Sequence, residues 1–297
     1  MIGFNGGLIG KNNPTVAGQS IAGVWDLREQ EVAVRRGQWA ATLGLLDLYP
    51  GAKFAYSLRL LRAAYTGPVV TVIRSSDSTS INCTAAQVRD GTLTSFCSGT
   101  NGFVTTWYDQ TVTANHATDG SVSTRRPQIV SNGALIENGS PGLPVLRFDG
   151  NSDYLTQTSG STIPQAYTTI MALKRTGGTG SQNIFRSGGN SVPYFDGDSL
   201  LLYAGGGATI GSTPNNTRFL SSIVWNGSST TSRFNGTSTT YNPGTLGLSS
   251  GAAITIGSAG GAVLTTMDMH ELIIYDSNQA SNLNAIDSNV NVFYGIY

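Results

Sequence analysis

The chain has 297 residues, and its 17 Lys and Arg balance its 17 Asp and Glu, so the formal net charge at pH 7 is zero. This balance argues against a nucleic-acid-binding protein, because neutralising phosphates needs a clear excess of basic residues. Only 11% of the residues are charged and 38 are glycine. Such a composition is typical of turn-rich β structure, here one main domain with an appendage.

The N-terminus shows no targeting segment. Residues 1–10 carry no charged side chain, and glycines interrupt their apolar residues, so the pattern of a signal peptide is missing. No apolar run approaches the length needed to cross a bilayer. We therefore expect no membrane insertion, and release by lysis rather than by secretion.

The first fifty residues differ in character from the rest. A stretch rich in Gly, Asn and Pro, residues 3–18, leads into a segment with mixed charge and two tryptophans. A segment of this kind without a core of its own indicates a docking arm, the alternative being a flexible tail with no role. We expect burial against a partner or a neighbouring copy for both tryptophans. The candidate docking residues are Trp25, Arg28, Arg35, Arg36 and Trp39.

The main domain begins with a predicted amphipathic helix over residues 52–65. Its apolar residues recur at helical spacing and a Gly-Pro pair follows them: Phe54, Leu58, Leu61, Tyr65, Gly67 and Pro68. A strand is predicted over residues 69–74. A second, poorer helical stretch is predicted around residues 84–96, where Gly91 interrupts it.

From residue 103 onward the sequence predicts short strands. Runs of β-branched and aromatic residues alternate with Gly, Asn, Ser and Pro, which is typical of a sandwich or a jelly roll. A helical stripe of apolar residues closes the chain and ends at Gly295. The predicted strands are residues 103–108, 144–148, 167–173, 199–203, 219–225, 253–256 and 271–275, and the stripe consists of Leu283, Ile286, Val290 and Phe293.

Several sequence blocks also occur in a recognisable order. They are Tyr56-Ser57-Leu58-Arg59, Ala63-Ala64-Tyr65-Thr66-Gly67-Pro68, Arg74-Ser75-Ser76-Asp77 and Phe103-Val104-Thr105-Thr106-Trp107-Tyr108-Asp109-Gln110. This set resembles the catalytic domain of the fungal α-L-arabinofuranosidase B family, and more closely the concanavalin A-like domains of phage virion proteins related to it.

Two further blocks extend the resemblance to laminin-G-like domains. They are Phe148-Asp149-Gly150 with Asp153-Tyr154-Leu155, and Glu271-Leu272-Ile273-Ile274-Tyr275-Asp276. The resemblance covers residues 51–297 and implies an all-β fold, a concanavalin A-like (laminin-G-like) jelly-roll β-sandwich with a few short helices. Residues 1–50 are then an extended N-terminal assembly arm. Residues 7–10 and 23–25 are similar to the starts of structural proteins from marine phages and cyanophages.

The resemblance implies a bacteriophage virion structural protein located in the virion. It would be a capsid decoration, a knob or a tail or neck appendage that docks through its arm onto other phage structural proteins, as a homo-oligomer. The alternative is a lectin-like adhesin of the tail that binds host surface glycans. An active glycoside hydrolase is the third hypothesis.

Hydrolysis of a glycoside normally needs two carboxylates on either side of the bond. By the resemblance, Leu200 occupies the position of the family's nucleophilic Glu, and Gly261 occupies that of its acid/base Asp. Neither residue can transfer a proton or attack a sugar carbon, so we predict no enzyme activity. A shift of two residues in the alignment would bring Asp198 closer to the first position.

The remaining polar candidates are better explained by structural roles. Asp109 follows a predicted strand, and we expect its carboxylate to cap backbone amides while Trp107 packs in the core. His116 and His270 have no partner at a recognisable catalytic spacing, so surface or packing roles are favoured for both.

Metal and disulfide chemistry have little support in the sequence. Residues 149–153 and 196–198 are rich in oxygen ligands, yet turn formation explains them without calcium. We predict no cofactor and no metal site. Cys83 and Cys97 are the only cysteines, and either a disulfide or two buried free thiols is compatible with their spacing.

Overall fold

The computed structural model describes residues 15–16, 19–20, 43–139, 143–157, 162–188, 192–248 and 253–297. The chain divides into two compact units, Met1–Gly44 and Leu45–Tyr297. The first unit contains a short antiparallel pair of strands, β1 (Thr15–Val16) and β2 (Gln19–Ser20). The predicted docking residues lie outside the described residues: Trp25, Arg28, Arg35, Arg36 and Trp39. Their role, and the proposed division between residues 50 and 51, stay predictions.

The second unit is built mainly from antiparallel strands. Three helices accompany them in the described residues: α1 (Leu45–Leu48), α2 (Thr92–Phe96) and α3 (Leu283–Tyr294), with 3-10 turns at Ser123–Arg125 and Gly227–Ser229. In chain order the strands are β3 (Ala52–Ser57), β4 (Val70–Arg74), β5 (Ser80–Cys83), β6 (Gly102–Trp107), β7 (Ala117–Thr118), β8 (Gln128–Ser131), β9 (Ala134–Leu135), β10 (Leu146–Asp149), β11 (Leu155–Gln157), β12 (Tyr167–Arg175), β13 (Ser181–Asn183), β14 (Phe185–Ser187), β15 (Val192–Asp196), β16 (Ser199–Tyr203), β17 (Gly207–Ser212), β18 (Arg218–Trp225), β19 (Thr230–Phe234), β20 (Thr237–Tyr241), β21 (Ile254–Ile256) and β22 (Thr266–Tyr275).

Strand pairing in the described residues gives one large and one small sheet. The large sheet has the order β14-β21-β11-β7-β6-β8-β10-β22-β12-β18-β19-β20, with β3 on β22, β4 between β5 and β6, and β9 on β8. The small sheet has the order β13-β15-β16-β17. The predicted all-β, jelly-roll type of sandwich is confirmed.

Two apolar cores lie on opposite faces of the central strands. In β22, Met269 and Leu272 face the inner core, whereas Ile273 faces the outer core, against which helix α3 packs. The usual alternation of faces shifts once, because Ala172 of β12 pairs with Glu271 while Leu173 pairs with Met269. This β-bulge at residue 270 re-aims the following side chains, so residues on both sides of it serve the same core.

The predicted helix over residues 52–65 is wrong. Residues 52–57 form β3, which pairs with β22 in the large sheet. The helical spacing is coincidental, because Phe54 contributes to the inner core while Leu61 contributes to the outer core. Pairing with β22 and burial on two faces together outweigh the local periodicity.

Most other predicted elements are confirmed. The strand predicted over 199–203 has the observed bounds, and those predicted at 69–74, 103–108, 144–148, 167–173, 219–225, 253–256 and 271–275 overlap β4, β6, β10, β12, β18, β21 and β22. Gly91, with φ 94°, lies immediately before α2 and restricts the second helical stretch to Thr92–Phe96. Gly295, with φ 59°, ends α3 in the left-handed conformation. In the described residues no helix is long and apolar enough to cross a membrane.

Candidate functional site

A polar cleft of about 440 Å³ lies beside the end of β10. Its lining combines three cations and two carboxylates with several hydroxyl side chains and one aromatic ring. We call it the Asp149 cleft, after the residue at the end of β10. The charged and aromatic residues that line it are Arg74, Arg126, Arg147, Asp149, Asp153 and Phe103.

The two carboxylates belong to one tight turn that follows β10. Asp149 Oδ1 accepts backbone N–H groups from Asn151 at 2.8 Å, Ser152 at 2.9 Å and Asp153 at 3.2 Å. In return, Asp153 Oδ2 accepts the backbone N–H of Asp149 at 3.0 Å. Gly150, with φ 73°, supplies the left-handed residue that the turn requires. The local sequence therefore holds two acidic side chains next to each other.

The surroundings of Asp149 and Asp153 shift the pKa values of the two carboxyl groups in opposite directions. Burial, and then the neighbouring charge of Asp149, raise the pKa of Asp153 to about 7. Burial acts in the same direction on Asp149, but the N–H groups of Ser152, Asn151 and Asp153 outweigh it and lower the pKa of that carboxyl. Near neutral pH the cleft therefore contains an ionised carboxylate beside a carboxyl that is about half protonated.

Two of the cleft arginines form ion pairs with buried carboxylates that do not line the cleft. Arg126 Nε donates to Asp119 Oδ2 at 2.6 Å, and Arg147 binds Asp268 through Nε at 2.7 Å and Nη2 at 2.8 Å. Asp119 and Asp268 are buried. Burial opposes ionisation of Asp268, yet the hydrogen bonds and charge of Arg147 lower its pKa. Buried anions thus fix the positions of two guanidinium groups at the cleft.

The two positions aligned with the family's catalytic carboxylates lie elsewhere. Leu200 is fully buried in the inner core, where it pairs with Phe195 across the β15–β16 hairpin. Gly261 lies in a turn with φ 90°, close to the ring of Tyr154. The side chain of Leu200 faces the core, and a side chain at position 261 would be strained.

Asp198 lies in the hairpin turn before β16. Its side chain is 69% exposed, and it forms an ion pair with the buried guanidinium of Arg175. Arg175 also donates to the backbone carbonyls of Thr213 at 3.0 Å and Gly178 at 2.6 Å. The residues lining the Asp149 cleft do not include Asp198, and its observed contacts tie loops together.

Asp109 has the capping role that the sequence predicts. Its Oδ1 accepts the N–H groups of Ala55 at 2.9 Å and Thr111 at 3.0 Å. Its Oδ2 accepts the Thr111 hydroxyl at 2.6 Å and the N–H of Asn115 at 2.9 Å. Trp107 is fully buried in the inner core. The structural interpretation of this block is confirmed.

The histidines and cysteines also have structural surroundings. His116 accepts the Asp109 N–H through Nδ1 at 3.2 Å, and burial lowers the pKa of buried His270 to about 4. Cys83 and Cys97 are buried free thiols, so the structure takes the second of the two alternatives. No three His, Cys, Asp or Glu side chains of the described ranges come together as possible metal ligands.

Sequence reasoning missed the Asp149 cleft as a site. The sequence predicts a turn-forming role for both aspartates, without calcium. The three arginines come from separate parts of the chain, and only Arg74 belongs to one of the sequence blocks that carry the family resemblance. The available signal was the pair of acids four residues apart, which predicts a turn but not a cleft.

Comparison with known proteins agrees with the fold. The family model described as "Alpha-L-arabinofuranosidase B, catalytic" matches residues 49–143. The structure is similar to a point mutant of a GH54 α-L-arabinofuranosidase soaked with 4-nitrophenyl α-L-arabinofuranoside, with a TM-score of 0.64 and 16% identity over 85% of this chain and 66% of that chain. The chain has an arabinofuranosidase-like glycoside hydrolase fold.

A second arabinofuranosidase, complexed with arabinofuranosyl-α-1,2-xylobiose, gives a TM-score of 0.57 at 17% identity, covering 85% of this chain and 65% of that chain. This chain therefore spans slightly less than two thirds of the length of these enzymes. At such identities the likeness establishes the fold and leaves the activity to be proposed. No curated protein matches the sequence.

The predicted function, a bacteriophage virion structural protein, is wrong. The family model and the structural likeness both point to an arabinofuranosidase-like glycoside hydrolase fold, and neither supports a phage origin. The phage interpretation rested on the resemblance of the main-domain blocks to phage virion domains and on two short N-terminal blocks, residues 7–10 and 23–25, and the family model instead assigns the main-domain blocks to the arabinofuranosidase B family. Location in the virion, oligomerisation and the named partners remain untested predictions.

Proposed function

We propose that the protein binds carbohydrate in the Asp149 cleft and uses its glycoside hydrolase fold for recognition rather than cleavage. The observation that carries this proposal is the cleft itself, in which preorganised acceptors and donors converge around one aromatic ring. Ligand sites combine an apolar surface with a few well-placed polar groups. The arabinofuranosidase-like fold favours a sugar as the ligand.

The groups in the cleft suit the two surfaces of a sugar ring. Hydroxyl groups on the ring can donate to the carboxylate of Asp149 and accept from the guanidinium groups of Arg126 and Arg147. The half-buried ring of Phe103 offers an apolar surface to the C–H groups of the sugar. The turn after β10 holds the acceptor and the buried aspartates hold the donors, so little ordering is needed on binding.

The same geometry argues against the usual two-carboxylate hydrolysis. That mechanism needs two carboxyl groups about 5 to 10 Å apart, on either side of the scissile bond. Asp149 and Asp153 instead share one turn and hydrogen-bond to each other's backbone N–H groups. By the sequence resemblance, Leu200 and Gly261 occupy the positions of the family's catalytic carboxylates, and neither residue has a carboxyl group.

A second candidate function is slow acid-assisted hydrolysis of a glycoside. One observation favours it, namely the pKa of Asp153, which burial raises to about 7. An acid with such a pKa is protonated often enough at neutral pH to donate to a leaving-group oxygen.

Titration calorimetry with arabinofuranosyl-α-1,2-xylobiose, together with nitrophenol release from 4-nitrophenyl α-L-arabinofuranoside, separates the two candidates. We expect measurable binding, a loss of at least about tenfold in affinity in Asp149→Asn, and no release. Asp198→Asn is the control, because it changes an exposed carboxylate outside the cleft. The asparagine at 149 can still accept the turn N–H groups, so the variant should stay folded.

Three outcomes would change the proposal. Release by the native protein that disappears in Asp153→Asn would favour hydrolysis. Equal loss of binding in Asp198→Asn would move the site away from the cleft. Absence of binding to this and to every other oligosaccharide tested, whether neutral or charged, would reject carbohydrate recognition.

A further inference from the structure

Two of the three arginines that line the Asp149 cleft have N–H groups without a described partner. Arg126 uses Nε for Asp119, and Arg147 uses Nε and Nη2 for Asp268. Both Nη atoms of Arg126 and the Nη1 of Arg147 make no hydrogen bond to any residue that the structure describes. The cleft therefore offers a ligand three guanidinium nitrogen atoms that donate to no described residue.

Arg147 also shares its buried anion with a second cation. Asp268 is the anion for Arg147, and the Nζ of Lys174 lies 3.4 Å from the same carboxylate. One buried anion thus serves two cations. The side chain of Arg147 is 43% exposed, whereas Asp268 is fully buried, so the guanidinium is the member of the pair that a ligand in the cleft can reach.

We infer that the sugar bound in the Asp149 cleft carries a carboxylate, as in a uronic acid, which is held by the free N–H groups of Arg126 and Arg147. This inference rests on the proposed carbohydrate-binding function. A planar guanidinium matches the two oxygens of a carboxylate and binds them through parallel hydrogen bonds. Buried carboxylates already orient both arginines, so the ligand does not have to order them.

Asp153 makes this binding depend on pH. Burial and the charge of Asp149 raise the pKa of Asp153 to about 7, so the carboxyl is mostly neutral at pH 6 and mostly ionised at pH 8. Ionisation adds a negative charge that repels the ligand's carboxylate. The charged groups that line the cleft with Asp153 are Arg74, Arg126, Arg147 and Asp149, and those paired with them or with their partners are Asp77, Asp119, Asp268 and Lys174.

The test compares ligands that differ in one property. A trimer of galacturonic acid and its methyl ester have the same ring shapes, but only the acid carries carboxylates. At pH 6 we expect the acid to bind at least about tenfold more tightly than the ester, because charged hydrogen bonds contribute more than neutral ones. The preference should shrink as the pH rises from 6 to 8, and Asp153→Asn should remove most of that change.

Substituting each arginine tests whether it contacts the carboxylate of the ligand. Arg147→Gln and Arg126→Gln should each reduce affinity for the acid about tenfold or more and reduce affinity for the ester by a smaller factor, because the ester keeps only the hydroxyl contacts. Arg233→Gln is the matched control, because Arg233 donates its Nε to the buried carboxylate of Asp287 at 2.8 Å, outside the cleft. If Arg126→Gln does not fold, the double variant Asp119→Asn/Arg126→Gln removes both charges of the pair and replaces it.

The outcomes separate this inference from the proposed function. Equal or tighter binding of the ester, or of arabinofuranosyl-α-1,2-xylobiose, would overturn the uronic acid and leave sugar binding intact. A sulfated trisaccharide that binds as tightly as the acid would overturn selection for a carboxylate. If none of these probes binds, both proposals fail.

Discussion

Asp109 and Asp153 are both buried aspartates beside the end of a strand, and their surroundings give them opposite roles. Every oxygen of Asp109 accepts N–H or hydroxyl groups of the protein. Asp153 accepts one backbone N–H and lies beside a second carboxylate in an open cleft. A saturated carboxylate serves the fold, whereas an unsaturated one beside a like charge retains the capacity to bind or to exchange a proton.

The largest effect on stability is expected when the carboxylate of Asp109 is removed. Asp109→Ala leaves the N–H groups of Ala55, Thr111 and Asn115 without their acceptor in a buried site. We expect the free energy of unfolding to fall by about 3 to 5 kcal/mol, since each unsatisfied buried group costs about 1 to 3 kcal/mol. Urea unfolding measures this loss.

Asp109→Asn is the matched variant for that experiment. Its Oδ1 can still accept from Ala55 and Thr111, so the loss should be smaller than for alanine. A loss below about 1 kcal/mol in Asp109→Ala would show that the cap is dispensable.

The second prediction concerns how the raised pKa of Asp153 makes the stability of the protein depend on pH. The folded state raises its pKa to about 7, whereas an unfolded Asp titrates near 4. Between these values the folded protein binds more protons than the unfolded chain, so stability falls as the pH rises from about 4 to 7 and stays low above 7.

Asp153→Asn removes this titration while keeping an acceptor for the N–H of Asp149. A shift of about three pH units corresponds to at most about 4 kcal/mol, and relaxation around the turn reduces the effect. We expect the variant to gain about 2 kcal/mol over the native protein between pH 4 and pH 8. Parallel stability curves for the two proteins would show that Asp153 titrates normally.

The smallest effect on stability is expected for the exposed ion pair between Asp77 and Arg74. Asp77 pairs with Arg74 through Nη2 at 2.6 Å, but both side chains are accessible to solvent. Exposed ion pairs contribute little to stability because water and salt screen them. Asp77→Ala should therefore leave the unfolding midpoint nearly unchanged in thermal melts. A marked decrease would mean that Arg74 depends on Asp77 for its place in the cleft.

The sequence by itself determined much of the strand pattern. β16 and β18 appear as short runs bounded by turn residues, and Gly295 marks the end of α3, because strand periodicity, turn chemistry and helix termination are local properties. The capping role of Asp109 was predictable for the same reason. Its acceptors serve residues that follow it closely in the chain, with Ala55 as the exception.

Tertiary structure alone decided the rest. The apolar spacing over residues 52–65 fits a helix until β22 offers a strand partner, and long-range pairing then outweighs local preference. Arg74, Arg126 and Arg147 meet only because β4, β8 and β10 bring distant segments together. The pKa of Asp153 depends on burial and on the charge of Asp149 in the folded turn. The sequence gives the position of each carboxyl group in the chain, whereas its pKa and its hydrogen-bond partners depend on the folded environment.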